Sequence, residues 1–151
     1  MELNPGLVTK MIDDGHHIVN HSWDHLRDFT YLSDYEIRNQ LQKTEAKAQE
    51  FGITTKPYFR PPFGGYDQRV IRICTEEGYS QFVYWTYDSD DWLSDLSPGE
   101  VYSKIVNKAS NGAIFVMHLD SWQEPLILAD AIDAVREKGF TLTTIPNLLR
   151  E

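Results

Sequence analysis

The chain has 151 residues, 41% of them hydrophobic and 13% aromatic, which is enough apolar surface for one sizeable core within the ordinary range of a single domain. Its net charge is −9 and its 14 Lys and Arg residues are scattered, so the basic stripe that grips a phosphate backbone is missing and no nucleic acid partner is expected. Charged residues make up 25% of the chain without any low-complexity stretch, which argues against disorder, and no apolar run approaches the ~20 residues that span a bilayer.

In chain order, Asn4-Pro5 caps and opens a helix whose apolar residues Leu7, Val8, Met11 and Ile12 share a face, with Gly15 as the stop. A strand is expected through Ile18 and Val19. Ser33 with Glu36 has the capping-box pattern before a helix carrying Ile37, Leu41 and Ala48 that ends near Gly52. Pro57 to Phe59 reads as a short strand. Asp67 caps a third helix through Val70, Ile71 and Cys74 that closes at Gly78, and Gln81 to Thr86 is rich in β-branched and aromatic residues. The single cysteine, Cys74, reads as inert packing. Ser97-Pro98 with Glu100 repeats the capping box before Val101, Ile105 and Val106. Ala113 to Met117 is a continuous apolar run of the kind found in strands buried on both faces. A last helix through Ile127, Ala131, Ile132 and Val135 stops at Gly139, and Phe140 to Thr144 is the expected closing strand.

Helix and strand thus alternate along the chain, which predicts an α/β fold with parallel strands, of the (β/α) barrel type. The barrel repeat is strand then helix, so an opening helix predicts a single domain over residues 1–151 that is incomplete, its N-terminal strand or strands missing. The open edge of such a barrel offers unpaired backbone to a second copy of the chain or to a complementing segment.

Residues with chemical potential recur just after the expected strands: His21 and His25, then Arg60, then Asp88 and Asp91, then His118. In parallel α/β folds the ligand site lies at the carboxyl ends of the strands. His21 and His25 are four apart, which on a helical turn places both imidazoles on one face and suits a divalent metal, although such a pair is two ligands where a catalytic zinc has three. Asp24 between them points elsewhere on such a turn. Asp88 and Asp90 read as turn and capping residues, and His16 and His17 lie at the wrong end of their strand.

Together the segments become specific. His21-Ser22-Trp23-Asp24-His25 is similar to the H-[ST]-x-x-H motif of the polysaccharide deacetylases, carbohydrate esterase family 4. Arg60-Pro61-Pro62-Phe63-Gly64 resembles that family's R-x-P-[YF]-G segment, Asp88-Ser89-Asp90-Asp91-Trp92 its D-x-x-D-W segment, and Val116-Met117-His118 its L-x-H segment. The resemblance spans nearly the whole chain. It implies a hydrolase that removes N-acetyl or O-acetyl groups from a glycan, with a divalent metal, usually zinc, bound by His21 and His25. It further implies that the Phe63 backbone N–H helps hold the oxyanion, that His118 is the general acid with Asp91 tuning its charge, that Trp92 and Val116 wall the acetyl pocket, and that Arg60 orients the catalytic base.

The family's T-F-D-D-G motif, source of the base and of the third metal ligand, has no counterpart in the expected place. Asp13-Asp14-Gly15 copies its letters, but only five residues separate Gly15 from His21, and the stretch reads as a helix end. The resemblance therefore leaves two further readings open: a non-catalytic remnant that binds glycan, metal or a partner chain, and an amidohydrolase of the same fold acting on a small cyclic amide. Relatives are often secreted or at the cell surface, and the sequence itself assigns no compartment.

Overall fold

A computed structural model describes residues 4–149. Among them are six α-helices, α1 (Pro5–Asp13), α2 (Asp34–Gln49), α3 (Gln68–Glu76), α4 (Pro98–Lys108), α5 (Glu124–Glu137) and α6 (Ile145–Leu148), and two short 3-10 turns at Phe29–Tyr31 and Pro62–Gly64. The strands are β1 (Tyr58–Phe59), β2 (Gln81–Phe82), β3 (Tyr87–Asp88) and β4 (Phe115–Val116). β1 pairs in parallel with β2, and β3 in parallel with β4. The chain divides into two compact units, residues 1–84 and 85–151.

In the first unit β1, α3 and β2 form one strand-helix-strand unit, and α2 packs on α3. Its core is Phe29, Ile37, Leu41, Phe59, Val70, Ile73, Cys74 and Tyr79. Phe59 is the hub, with ring centroids 5.2 Å from Phe29 and 5.6 Å from Phe82, offset or edge-on as aromatic quadrupoles prefer. Cys74 lies within this core, where burial and then the Glu77 charge push its thiol up to about 12, so it is unreactive as expected. In the second unit β3, α4 and β4 repeat the arrangement, with α5 packed on α4 around Val101, Ile105, Val106, Ile127, Ala131 and Val135.

The helix signals read from the sequence hold. Ser33 Oγ accepts from the Glu36 N–H at 3.3 Å while Glu36 accepts from the Ser33 N–H at 2.7 Å, and Ser97 with Glu100 does the same at 3.3 and 2.9 Å. Asp67 caps α3 through the Val70 N–H at 2.7 Å. The segment Asp13-Asp14-Gly15 is the end of α1: Asp14 caps it and pairs with Lys10, and Gly15 stands at φ +84°, the left-handed conformation of a helix stop.

The strands are shorter than their apolar runs. Ile18 and Val19 form no strand, and only Asn20 bridges to Phe59. Of Ala113 to Met117 only Phe115–Val116 is paired, and only Val116 is buried, so this segment is not covered on both faces. Phe140 to Thr144 is not assigned as a strand. Apolar periodicity records where side chains can be covered, whereas a ladder needs a neighbour whose carbonyls and N–H groups lie in register.

Candidate active site

Two clusters of the expected residues form, one in each unit. In the first, Asn20 bridges β1 and the chain then turns away to carry His21 and His25 in an irregular loop. The expected helical turn is absent. Ser22 and His25 instead adopt positive φ, +69° and +52°, and this folds the loop back so that the two imidazole centroids lie 4.8 Å apart. A helix would have aligned the rings through a regular 3.6-residue period; here side-chain hydrogen bonds shape the turn. Asp24 is directed to Gln40, whose Nε2 donates to Asp24 Oδ2 at 2.8 Å.

Arg60 and Phe63 join these histidines. The Arg60 carbonyl lies 2.7 Å from His21 Nδ1, which must therefore donate, leaving the lone pair of the neutral ring on Nε2. The Arg60 side chain turns inward, with Nε donating to the Val83 carbonyl at 3.4 Å, and burial pulls its pKa below the ordinary value. Phe63, at φ +58°, occupies the turn after Pro61-Pro62, and its exposed ring stands 4.6 Å from His25. Gly65 follows, where a Cβ would fall 1.7 Å from Asp28 Oδ2 and would have to displace that carboxylate. His17 lies against Tyr58, outside this cluster.

In the second unit β3 and β4 bring Asp91 and His118 together. Asp91, 1% exposed, accepts from the His118 backbone N–H at 2.7 Å through Oδ2 and bonds His118 Nδ1 at 2.8 Å through Oδ1. Both carboxylate oxygens therefore hold one residue. The ring turns its Nδ1 to the buried carboxylate, which leaves Nε2 on the side away from Asp91. Asp90, at φ +58°, pairs with Lys104, and its N–H donates to Asp88 at 2.8 Å, so both act in the turn as expected. Val116 is buried and Trp92 is 59% exposed.

Two residues of this cluster were not singled out from the sequence. Ser89, fully buried, lies 2.9 Å from both Asp91 Oδ1 and the Val116 carbonyl, tying the aspartate to β4. Glu124, buried at the start of α5, has its pKa raised by burial and then by the Asp91 charge, while His118 lowers it. Neither has a local sequence signature: a serine in a turn and a glutamate at a helix start both read as ordinary capping residues.

Among the described residues, no group of three or more His, Cys, Asp or Glu side chains could hold a metal ion. The two imidazoles, one with its tautomer fixed by a carbonyl, fit as part of a ligand set and not as the whole of one.

Comparison with known proteins decides the family. The family model described as polysaccharide deacetylase matches residues 1–82, over half of the chain. The chain belongs to the polysaccharide deacetylase family. The matched span ends at β2, so it covers almost the whole first unit. A peptidoglycan-N-acetylglucosamine deacetylase of Bacillus cereus is 30% identical over 99% of this chain and 71% of its own length. Peptidoglycan-N-acetylmuramic acid deacetylase PdaA of Bacillus subtilis is 31% identical over 97% of this chain and 56% of its own. A carbohydrate esterase family 4 pseudoenzyme from Bacillus anthracis superposes with a TM-score of 0.87 at 28% identity, covering 99% of this chain and 52% of that one. The chain thus spans about half the length of several relatives that it matches, 45% and 56% in two cases. The α/β class expected from the alternation of elements is that of these polysaccharide deacetylases. Members of the family generally depend on a divalent metal ion. No helix among the described residues is long and apolar enough to cross a membrane.

Proposed function

We propose that this chain carries the metal-binding and general-acid parts of a glycan deacetylase, a hydrolase that removes N-acetyl or O-acetyl groups from an acetylated amino sugar. The observation that supports it best is the grip of Asp91 on His118, with both carboxylate oxygens on one residue at 2.7 and 2.8 Å. A buried carboxylate accepting from Nδ1 holds a proton on that nitrogen, so Nε2 is the nitrogen left to exchange a proton with a leaving amine. His21 and His25 would contribute two ligands to a divalent metal, most simply zinc, which when bound would supply electrophilic polarisation of the acetyl carbonyl. The Phe63 N–H would stabilise the oxyanion, Trp92 and Val116 would line the acetyl pocket, and Arg60 would orient a catalytic base, the residue whose T-F-D-D-G motif has no counterpart in the expected place.

The named activities of the relatives in Bacillus cereus and Bacillus subtilis support a peptidoglycan-type substrate. A second reading has its own support. Two imidazoles stand together as candidate ligands among the described residues, and one structural relative is a pseudoenzyme, which supports a binding remnant as the second reading.

Turnover of an acetylated chitooligosaccharide, with zinc added to the purified chain, separates the two. The deacetylase reading expects acetate release that falls by about 10²–10⁴ in His118→Ala, the usual contribution of a positioned proton donor. Asp91→Asn should also lower acetate release, because the His118 N–H groups lose the carboxylate that orients the ring. Zinc binding without acetate release establishes the remnant.

A further inference from the structure

The loop bearing the two histidines lies outside helix and strand, yet five consecutive backbone N–H groups are all bonded to side-chain oxygens. Ser22 N–H donates to Asn20 Oδ1 at 3.0 Å, and His25 N–H to Ser22 Oγ at 3.0 Å. Between them Trp23 and Asp24 both donate to Gln40 Oε1, at 2.8 and 3.2 Å, and Leu26 N–H donates to Asp24 Oδ1 at 3.3 Å. Gln40 closes the ring by donating to the other Asp24 oxygen at 2.8 Å.

Such a loop does not hold its shape by itself. Two non-glycine residues at positive φ each raise the energy by about 1–2 kcal/mol, and they persist only where surrounding bonds over-determine them. The bonds come from two places. Gln40 reaches from α2 to the middle of the span between the histidines. Asn20, fully buried, sits beneath the loop, its amide donating to the Leu41 carbonyl at 3.1 Å and the Tyr79 hydroxyl at 2.8 Å. Gln40 and Leu41 are neighbours on α2, so one helix turn grips the loop by a side chain and a carbonyl.

We infer that Gln40 and Asn20 are positioning residues that set the separation of His21 and His25 by fixing the peptide groups between them. The consequence for metal binding rests on the proposal that these histidines are ligands. Neither residue is among the proposed metal ligands or substrate contacts. Their effect is to prepay the order of a loop that would otherwise have to be organised as the ion binds, and outer-sphere partners of this kind typically change metal affinity by about 10–100-fold.

The test uses the full chain and zinc ion alone as probe, with His ring resonances reporting binding and amide exchange reporting the loop. Gln40 is only half-buried, so Gln40→Ala keeps the core, and Gln42→Ala on the same helix is the control. Expected for Gln40→Ala are zinc affinity weaker by about 10-fold or more and faster exchange at Trp23 and Asp24, with Gln42→Ala like the parent. Unchanged zinc affinity or unchanged exchange in Gln40→Ala overturns the inference. If His21→Ala and His25→Ala bind zinc as well as the parent, the ligand assignment fails, and exchange at Trp23 and Asp24 alone then decides the role of Gln40.

Discussion

Single residues carry effects here that their neighbours in sequence do not announce. Gly65 has an ordinary φ and owes its identity to space: the Asp28 carboxylate, held by the Thr30 N–H and hydroxyl at 2.8 Å each, occupies the volume of a Cβ. Gly65→Ala should lower stability by about 1–3 kcal/mol, as forced overpacking does, and adding Asp28→Ala should recover part of the loss; thermal melts of the two variants check this. Glu45 is the second case. Burial alone would raise its pKa, but bonds from Thr54 and from the Thr55 hydroxyl and N–H outweigh that and hold it at about 2. A folded-state pKa below the unfolded value means stability present at neutral pH and lost as pH falls from about 4.5 toward 2. The loss is about 3 kcal/mol at most. Urea titrations between pH 5 and 2 should show a larger loss in the parent than in Glu45→Gln, which starts less stable and keeps only the losses from the other paired carboxylates, such as Asp34 and Glu76.

Among the elements, the helices were legible because their boundary signals are local. Both capping boxes are formed, and Ser97→Ala should cost about 1 kcal/mol, read as a lower melting temperature with unchanged helix content at 20 °C. The strands were legible in position but not in length, since a parallel ladder is set by a partner distant in sequence: β1 meets β2 across α3, and β3 meets β4 across α4. The histidine loop was legible in composition but not in shape. Its four-residue spacing fits a helix, yet the N–H groups found acceptors on Asn20 and Gln40, and side-chain acceptors of this kind compete with helical bonds.

For the whole molecule, charge sets the terms on which a glycan can approach. At −9, an anionic polysaccharide should bind more weakly at low salt and gain affinity as salt rises, while a neutral chitooligosaccharide should be indifferent to salt. Affinity measured at 20 and 300 mM salt distinguishes these. The family match and the two clusters divide along the chain: the histidine loop and the Arg60 turn lie in the first unit, the Asp91–His118 pair in the second.

Sequence alone determined the helices, the α/β class and the residue types of both clusters, because capping, periodicity and motif spacing are written in short stretches of chain. Even the Asp-Asp-Gly of residues 13–15 was readable as a helix end, since a left-handed glycine stop needs nothing from elsewhere. Tertiary structure decided what depends on partners remote in sequence. It set the lengths of the strands, the Asp91 bonds that orient His118 across 27 residues, and the hold of α2 on the histidine loop. The physical reason is the same in each case: a hydrogen bond forms with whichever acceptor folding brings within 3 Å or so, and sequence separation does not enter its energy.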